Sequence, residues 1–345
     1  MRDYVEEPED DEDLPQHIPA PADPYDSPAL LRLSHSSLNL YRTCPRRFFL
    51  SRIGLSGLRP DSEETGITFS FGGIVGDGIQ QLMIGRPLDR VILDAALAWP
   101  FGYDVRDKSR KKSVWEAIEA LERFHADVLP LFQKEFGVLT YDARPAIELG
   151  FRIDLDSVYP GGYYVGYLDA ALETLKKAEL VVMEGKTSSS TLPHEATYRN
   201  SFQALGYSVV LDALTPGKTN YLVIYPVYST SSKVWEIFRF RESLSRRADW
   251  LVQLAFEAST IQRYKEARFF PKNGQACYSY GSPCPFYGIC DLDPAKMPRT
   301  GTPSGGRSDP IVVSKSLEDL LQSQTSAATL NPPQEPELDI NDRTL

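Results

Sequence analysis

The spacing of apolar and polar residues divides the chain into a helical first part and a strand-rich second part. Leu38, Tyr41, Phe48 and Phe49 follow Ser34 and Ser36, either of which can supply an N-cap hydroxyl, so a helix is expected there. Ile74 to Met83 and Leu88 to Trp99 predict two more helices. Trp115, Ile118, Leu121, Phe124 and Val128 place another between Ser113 and Phe136. The period then changes. Glu148 to Leu155, Tyr163 to Leu172 and Leu180 to Lys186 read as strands, with Thr174 to Glu179 connecting the last two. A helix over Ser201 to Leu214, strands over Asn220 to Tyr228 and Val234 to Phe240, and a long helix over Leu244 to Ala267 follow. The class is mixed α/β.

Composition sets the limits of the folded part. Residues 1–29 are acidic and then proline-rich, and residues 294–345 are rich in Ser, Thr, Pro and Gly. Both are expected to be disordered tails, because neither offers enough apolar surface to offset ordering. Between them lie a helical region over 30–140, an α/β core over 141–268 and a turn-rich, cysteine-containing segment over 269–293. Apolar runs such as Tyr221 to Val227 are too short to cross a bilayer, and no basic-then-apolar leader opens the chain, so a cytoplasmic protein without membrane contact is expected.

The net charge of -10 disfavours a nucleic-acid partner only if it is evenly spread, and it is not. Residues 1–15 carry eight acids and one base, whereas 16–293 carry 31 bases and 32 acids. A neutral body can still hold a polyanion against a local basic cluster. Three clusters stand out: Arg42/Arg46/Arg47/Arg52, Arg106/Lys108/Arg110/Lys111/Lys112 and Arg239/Arg241/Arg246/Arg247. Tyr41 with Arg42, Arg46 and Arg47 is the combination favoured for a strand-binding channel.

The most informative stretch is Gly166-Tyr167-Leu168-Asp169 followed by Leu180-Val181-Val182-Met183-Glu184-Gly185-Lys186. An apolar run suited to a sheet interior leads straight into an acid and a base, whose burial needs compensation. Alternation along a strand puts Glu184 and Lys186 on one face, and an antiparallel neighbour can bring Asp169 beside Glu184. Adjacent carboxylates suit a hard divalent cation, Mg²⁺ or Mn²⁺. Lys186 beside it could orient a nucleophilic water or balance phosphate charge. Alone, Glu184-Gly185-Lys186 reads first as an ordinary strand-edge salt bridge, and its context changes that. Gln203 and Tyr207, at i and i+4 on the next helix, add an amide and a phenol to one face. Gly185-Lys186-Thr187 and Gly217-Lys218-Thr219 imitate the end of a phosphate-binding loop, but Leu180 and Asp212 stand where that motif needs glycine.

A Gly-x-x-Asp, a Glu-x-Lys and a Gln-x-x-x-Tyr in this order resemble the PD-(D/E)XK nuclease superfamily, specifically its RecB-like branch. The resemblance implies a restriction-endonuclease-like core, a central mixed sheet flanked by helices, with a helical N-terminal insertion and a Cys-rich C-terminal segment. It implies that Asp169, Glu184 and the backbone carbonyl of Thr187 ligate metal, that Lys186 assists the attacking water, and that Gln203 and Tyr207 complete the site. Such nucleases carry a histidine or acid on a helix after a Phe-Gly turn. Here Phe71-Gly72 is followed by Gly76 or Asp77 at that place, with Asp77 or Gln80 as substitutes, while Glu148 resembles the acid on the first core strand.

The four cysteines form one pattern, Cys44 alone and then Cys277, Cys284 and Cys290. Without a leader, metal binding is a stronger reading than disulfides. Gaps of six and five residues are too long for a zinc knuckle. The set is similar to the iron–sulfur staple of RecB-like exonucleases, including AddB and the CRISPR-adaptation exonucleases, and implies a 4Fe-4S cluster; four unrelated buried thiols are the alternative. His35 reads as a capping or surface residue rather than a DNA contact. Together these implications describe a metal-dependent DNA nuclease, an exonuclease acting on single-stranded DNA or frayed duplex ends. A protein partner in a recombination or replication complex is compatible with that role. The alternative is a catalytically inactive DNA-binding or scaffolding subunit that kept the fold.

Overall fold

A computed structural model describes residues 23–53, 63–100, 111–214, 221–279, 282–294 and 311–330. The first helices are α1 (His35–Thr43), α2 (Pro45–Arg52), α3 (Glu63–Met83), α4 (Leu88–Ala98) and α5 (Val114–Arg123). A single π turn over Phe124–Val128 joins α5 to α6 (Leu129–Glu135). The expected unbroken helix from Ser113 to Phe136 is therefore interrupted just before Pro130, which has no N–H to continue the ladder. Later helices are α7 (Phe202–Leu214), α8 (Leu244–Glu266) and α9 (Leu317–Leu330).

Nine strands form one mixed sheet: β1 (Arg32–Leu33), β2 (Phe136–Val138), β3 (Ile147–Asp154), β4 (Tyr163–Thr174), β5 (Leu180–Met183), β6 (Lys186–Ser188), β7 (Tyr221–Ser229), β8 (Val234–Glu242) and β9 (Ile311–Ser316). The order is β8-β7-β5-β4-β3-β9, with β1 and β2 on β4 and β6 on β7. β3, β4 and β5 are antiparallel neighbours, while β5 and β7 run parallel. Helices cover both faces, and the fold is a mixed α/β sheet consistent with a restriction-endonuclease-like core. Among the described residues no helix is long and apolar enough to cross a membrane.

Period-two alternation assigns the faces. On β5, Leu180 and Val182 enter the core beneath α7 and α8, whereas Val181 and Met183 enter the core beneath α3 and α5. β7 follows the same rule with Val223, Tyr225 and Val227 against Leu222, Ile224 and Tyr228. Burial on both faces explains why these strands read as continuous apolar runs.

Two expectations about the tails are corrected. Within the supposed N-terminal tail, Tyr25 stacks on Phe49 at 4.6 Å and Asp23 pairs with Arg268. Within 294–345, β9 pairs in parallel with β3, and Val313, Leu317 and Leu320 are buried in the core beneath α8. The average polarity of that region masks an apolar strand followed by a helix with one apolar stripe. Residues 1–22 and 331–345, Arg106, Lys108, Arg110 and the Gly217-Lys218-Thr219 triplet lie outside the described residues.

Candidate active site

The site forms where strand alternation slips. Leu168 belongs to one core and Ala170 to the other, although residues two apart on a regular strand share a face. The neighbouring β3 slips at the same level: Ile147 pairs with Ala170 and Leu149 with Leu168, leaving Glu148 and Asp169 at the level between. Glu148 adopts φ of 50°, a left-handed conformation unfavourable for a residue with a Cβ. The last β4–β5 pair is Ala170 with Met183, so one step further sets Asp169 opposite Glu184. Three acids from three adjacent segments of the sheet thus lie at one level.

β7 keeps the other half of the site in register. It pairs with Met183 through Ile224 and with Lys186 through Val227, and the Glu184 N–H donates to the Ile224 carbonyl at 3.0 Å. Glu184 and Lys186 therefore share a face, with Lys186 Nζ 2.5 Å from Glu184 Oε1. On α7, Gln203 and Tyr207 face them one turn apart. Lys186 Nζ donates to Gln203 Oε1 at 3.0 Å, and Gln203 Nε2 lies 2.6 Å from Glu184 Oε1 and 2.7 Å from the Tyr207 hydroxyl. The Gly185 N–H donates to Asp169 Oδ2 at 2.9 Å. Asp169, Glu184, Lys186, Gln203 and Tyr207 are brought together as expected from their spacing.

Two glycines make this packing fit. A Cβ on Gly166 would lie 2.5 Å from the Phe151 ring, which crosses over it and meets Tyr207 edge-on at 5.8 Å. A Cβ on Gly206 would lie 2.5 Å from Trp250, which closes α8 onto α7.

Burial dominates the electrostatics. Reinforced by Glu184, it lifts the Asp169 carboxyl well above the ordinary range, and Lys186 and the Gly185 N–H reverse only part of that. Glu184, 2% exposed, is also raised by burial against the pull of Lys186, with Glu148 adding to the rise. Burial works against the Lys186 ammonium, but Glu184 and Asp169 outweigh it and raise its pKa, so Lys186 is a cation at neutral pH. Glu184 Oε2 is buried without a donor, facing a second carboxylate. Unless one acid is protonated, this arrangement is satisfied only by a cation, and two facing carboxylates, one of them lining an open cleft, fit a hard divalent ion. Among the described residues no three His, Cys, Asp or Glu side chains stand close enough to hold a metal by themselves. Water, phosphate oxygens or a backbone carbonyl would therefore complete its coordination.

Of the upstream alternatives, Gln80 reaches the site, and its side chain was not singled out above the others by spacing. Its Nε2 donates to Glu148 Oε1 at 2.7 Å. Asp77 is exposed, and a Cβ on Gly76 would point into open space. Thr187 sits in β6 opposite Tyr228, with its Oγ1 toward Gly72 of α3.

The expected Tyr41/Arg42/Arg46/Arg47 channel is corrected at Tyr41, Arg42 and Arg46. Tyr41 is buried against Phe48 and Tyr264, Arg42 forms a bidentate pair with Glu257 at 2.8 and 2.9 Å, and Arg46 donates to the carbonyls of Cys290 and Leu292. These are clamps between α1, α2, α8 and the cysteine segment. The downstream cluster is also engaged: Arg239 pairs with Glu135, Arg241 with Glu179 and Arg246 with Glu242, while Arg247 is fully buried. Instead, Arg32 and Arg52 line the cleft of about 490 Å³ that opens beside Asp169 and Glu148. His35 lines it too, as the first residue of α1; the cap is Ser34.

The cysteines form no disulfides, and among the described residues no three of them stand close enough to hold a metal. Cys44 Sγ accepts from the Asn273 N–H at 3.5 Å, and the Cys284 N–H donates to the Cys277 carbonyl at 2.8 Å. Burial raises the Cys290 thiol, with Cys44 and Cys284 adding to it against Lys272 and Arg46.

Comparison with known proteins follows the same lines. The family model for the PD-(D/E)XK nuclease superfamily matches residues 32–291. A search of curated proteins finds no match. One similar solved structure is a candidate exonuclease from Eubacterium rectale, 14% identical, with a TM-score of 0.45 over 73% of this chain and 89% of that one.

Proposed function

This chain belongs to the PD-(D/E)XK nuclease superfamily, and from that premise we propose that it is a metal-dependent deoxyribonuclease of the RecB-like branch, an exonuclease acting on single-stranded or end-frayed DNA. The observation that carries the reading is the facing pair of half-buried Asp169 and buried Glu184, with Lys186, Gln203 and Tyr207 on one face. A superfamily member kept only as a scaffold has no reason to bury two facing carboxylates at a cost of several kcal/mol.

Asp169 and Glu184 would hold Mg²⁺ or Mn²⁺, with the Thr187 carbonyl as the third protein ligand. The bound ion would polarise the scissile phosphate and make water a better nucleophile at neutral pH. The chain's own residues do the positioning. Lys186, held as a cation by Glu184, places its ammonium where charge grows on the phosphate. Gln203 fixes that ammonium through its Oε1, and Tyr207 fixes the Gln203 amide. Gln80 holds Glu148 in orientation beside the pair.

Cys44, Cys277, Cys284 and Cys290 are assigned to a 4Fe-4S cluster. Four free thiols suit it in kind, and the Asn273 N–H to Cys44 Sγ contact joins the first cysteine to the segment that holds the other three, while Arg46 donates to the Cys290 carbonyl. The cluster would tie the start of α2 to the cysteine segment that follows α8.

Cleavage of 5′- and 3′-labelled single strands and duplexes with Mn²⁺ tests the reading. Mn²⁺-dependent degradation of single strands, absent in Lys186→Ala, is expected; DNA binding with no cleavage under any divalent ion would favour the scaffold instead.

A further inference from the structure

The cleft beside Asp169 continues onto a wall that the chemistry above leaves unused, and that wall is cationic. Arg32 is half-buried on β1, and Arg52, only 6% exposed, ends α2; both line the cleft. They arrive by separate routes. β1 lies alongside the start of β4, with Arg32 opposite Tyr163. Arg52 is anchored through its carbonyl, which accepts from Ser27 Oγ, and by its guanidinium 5.8 Å from the Phe48 ring.

Placing two guanidinium groups on one partly dry wall is costly. Burial first and Arg32 second hold the Arg52 guanidinium down to about 10. The same cleft is also lined by Ser34 and His35 at the first turn of α1, where the helix presents its positive end. His35 Nδ1 is buried there without a partner. One cleft therefore carries side chains that suit a metal and side chains that suit an anion. A volume of about 490 Å³ is that of a small-ligand pocket, room for a short stretch of one strand.

We propose that this wall is a phosphate subsite: Arg32 and Arg52 hold the backbone phosphate next to the scissile one, and the unpaired base beside it passes Tyr167, so the cleft selects a single strand. The proposal rests on the nuclease reading and assigns the substrate class of the same site. Backbone neutralisation by arginine gives affinity without sequence preference, and stacking on an aromatic ring suits any base.

The test is fluorescence anisotropy of a labelled oligo-dT strand against the full chain in EDTA, over a salt series, with Arg32→Gln, Arg52→Gln and Arg52→Lys. Each glutamine variant is expected to weaken binding at low salt at least tenfold. Each should also flatten the slope of log affinity against log salt, by up to about 0.7, the loss of one phosphate contact on a single strand. Arg52→Lys should recover the slope but not the full affinity, since an ammonium lacks the guanidinium fork. A blunt duplex of the same length should bind less tightly and respond to none of the three variants. Arg32→Gln alters a half-exposed side chain, so it carries the test even if Arg52→Gln fails to fold by circular dichroism. Wild-type binding with an unchanged slope in Arg32→Gln would overturn the subsite and leave the nuclease reading standing. A wild-type chain that neither binds nor cuts any strand would overturn both.

Discussion

Gln80 and Glu148 are 68 residues apart in sequence and meet across 2.7 Å, joining the long helix α3 to the strand that flanks Asp169. Gln80 is 3% exposed, so its amide is committed to that contact rather than to solvent. Partners that orient the ligands of a metal site are worth 10- to 100-fold when removed. Gln80→Leu is expected to lower the cleavage rate by about that range and to raise the Mn²⁺ concentration needed for half activity, with thermal stability nearly unchanged. A metal titration of the cleavage rate checks it.

Asp169→Asn should stabilise the metal-free protein increasingly as pH rises. The folded-state pKa of Asp169 is raised, so the protonated form is the one that folding favours. Its contribution to stability is complete below the ordinary aspartate pKa and is lost as pH climbs toward the raised value. The variant never ionises and escapes that loss. Its advantage should be absent near pH 4 and grow by at most about 1.4 kcal/mol per pH unit above it. Chemical denaturation of both proteins in EDTA across pH 5 to 8 measures it.

Gly166→Ala tests the packing that holds Tyr207. A Cβ placed 2.5 Å from the Phe151 ring forces that ring, and with it the edge-on contact to Tyr207, to move. Overpacking of this kind costs about 1–3 kcal/mol. The variant should show a lower urea midpoint and a reduced cleavage rate.

The catalytic constellation was legible because its intervals encode geometry directly. Glu184 and Lys186 are two apart on a strand, and Gln203 and Tyr207 four apart on a helix, so each pair shares a face whatever the tertiary detail. The level match of Glu148 with Asp169 was not legible, because it depends on register between strands and on a backbone conformation no local pattern announces. Arginines were the least legible. Arg42 and Arg46 look like DNA ligands in sequence, yet Glu257 and two carbonyls from distant segments claim them, while Arg32 reaches the cleft from a two-residue strand. Strand β9 was hidden in a segment whose average composition is polar.

Cys44 is 7% exposed beside Asn273, at the meeting of α2 and the cysteine segment. Protein purified without oxygen should carry iron and acid-labile sulfide, and Cys44→Ser should lose both together with thermal stability. Stoichiometric zinc without iron would remove the cluster and leave the nuclease assignment intact.

Calorimetric titration of Mn²⁺ into the purified full-length chain at neutral pH tests the central claim most directly. Asp169 and Glu184 are predicted to bind an ion in the wild type, with that binding lost in both Asp169→Asn and Glu184→Gln while each variant stays folded. Undiminished Mn²⁺ affinity in the two variants would contradict the account.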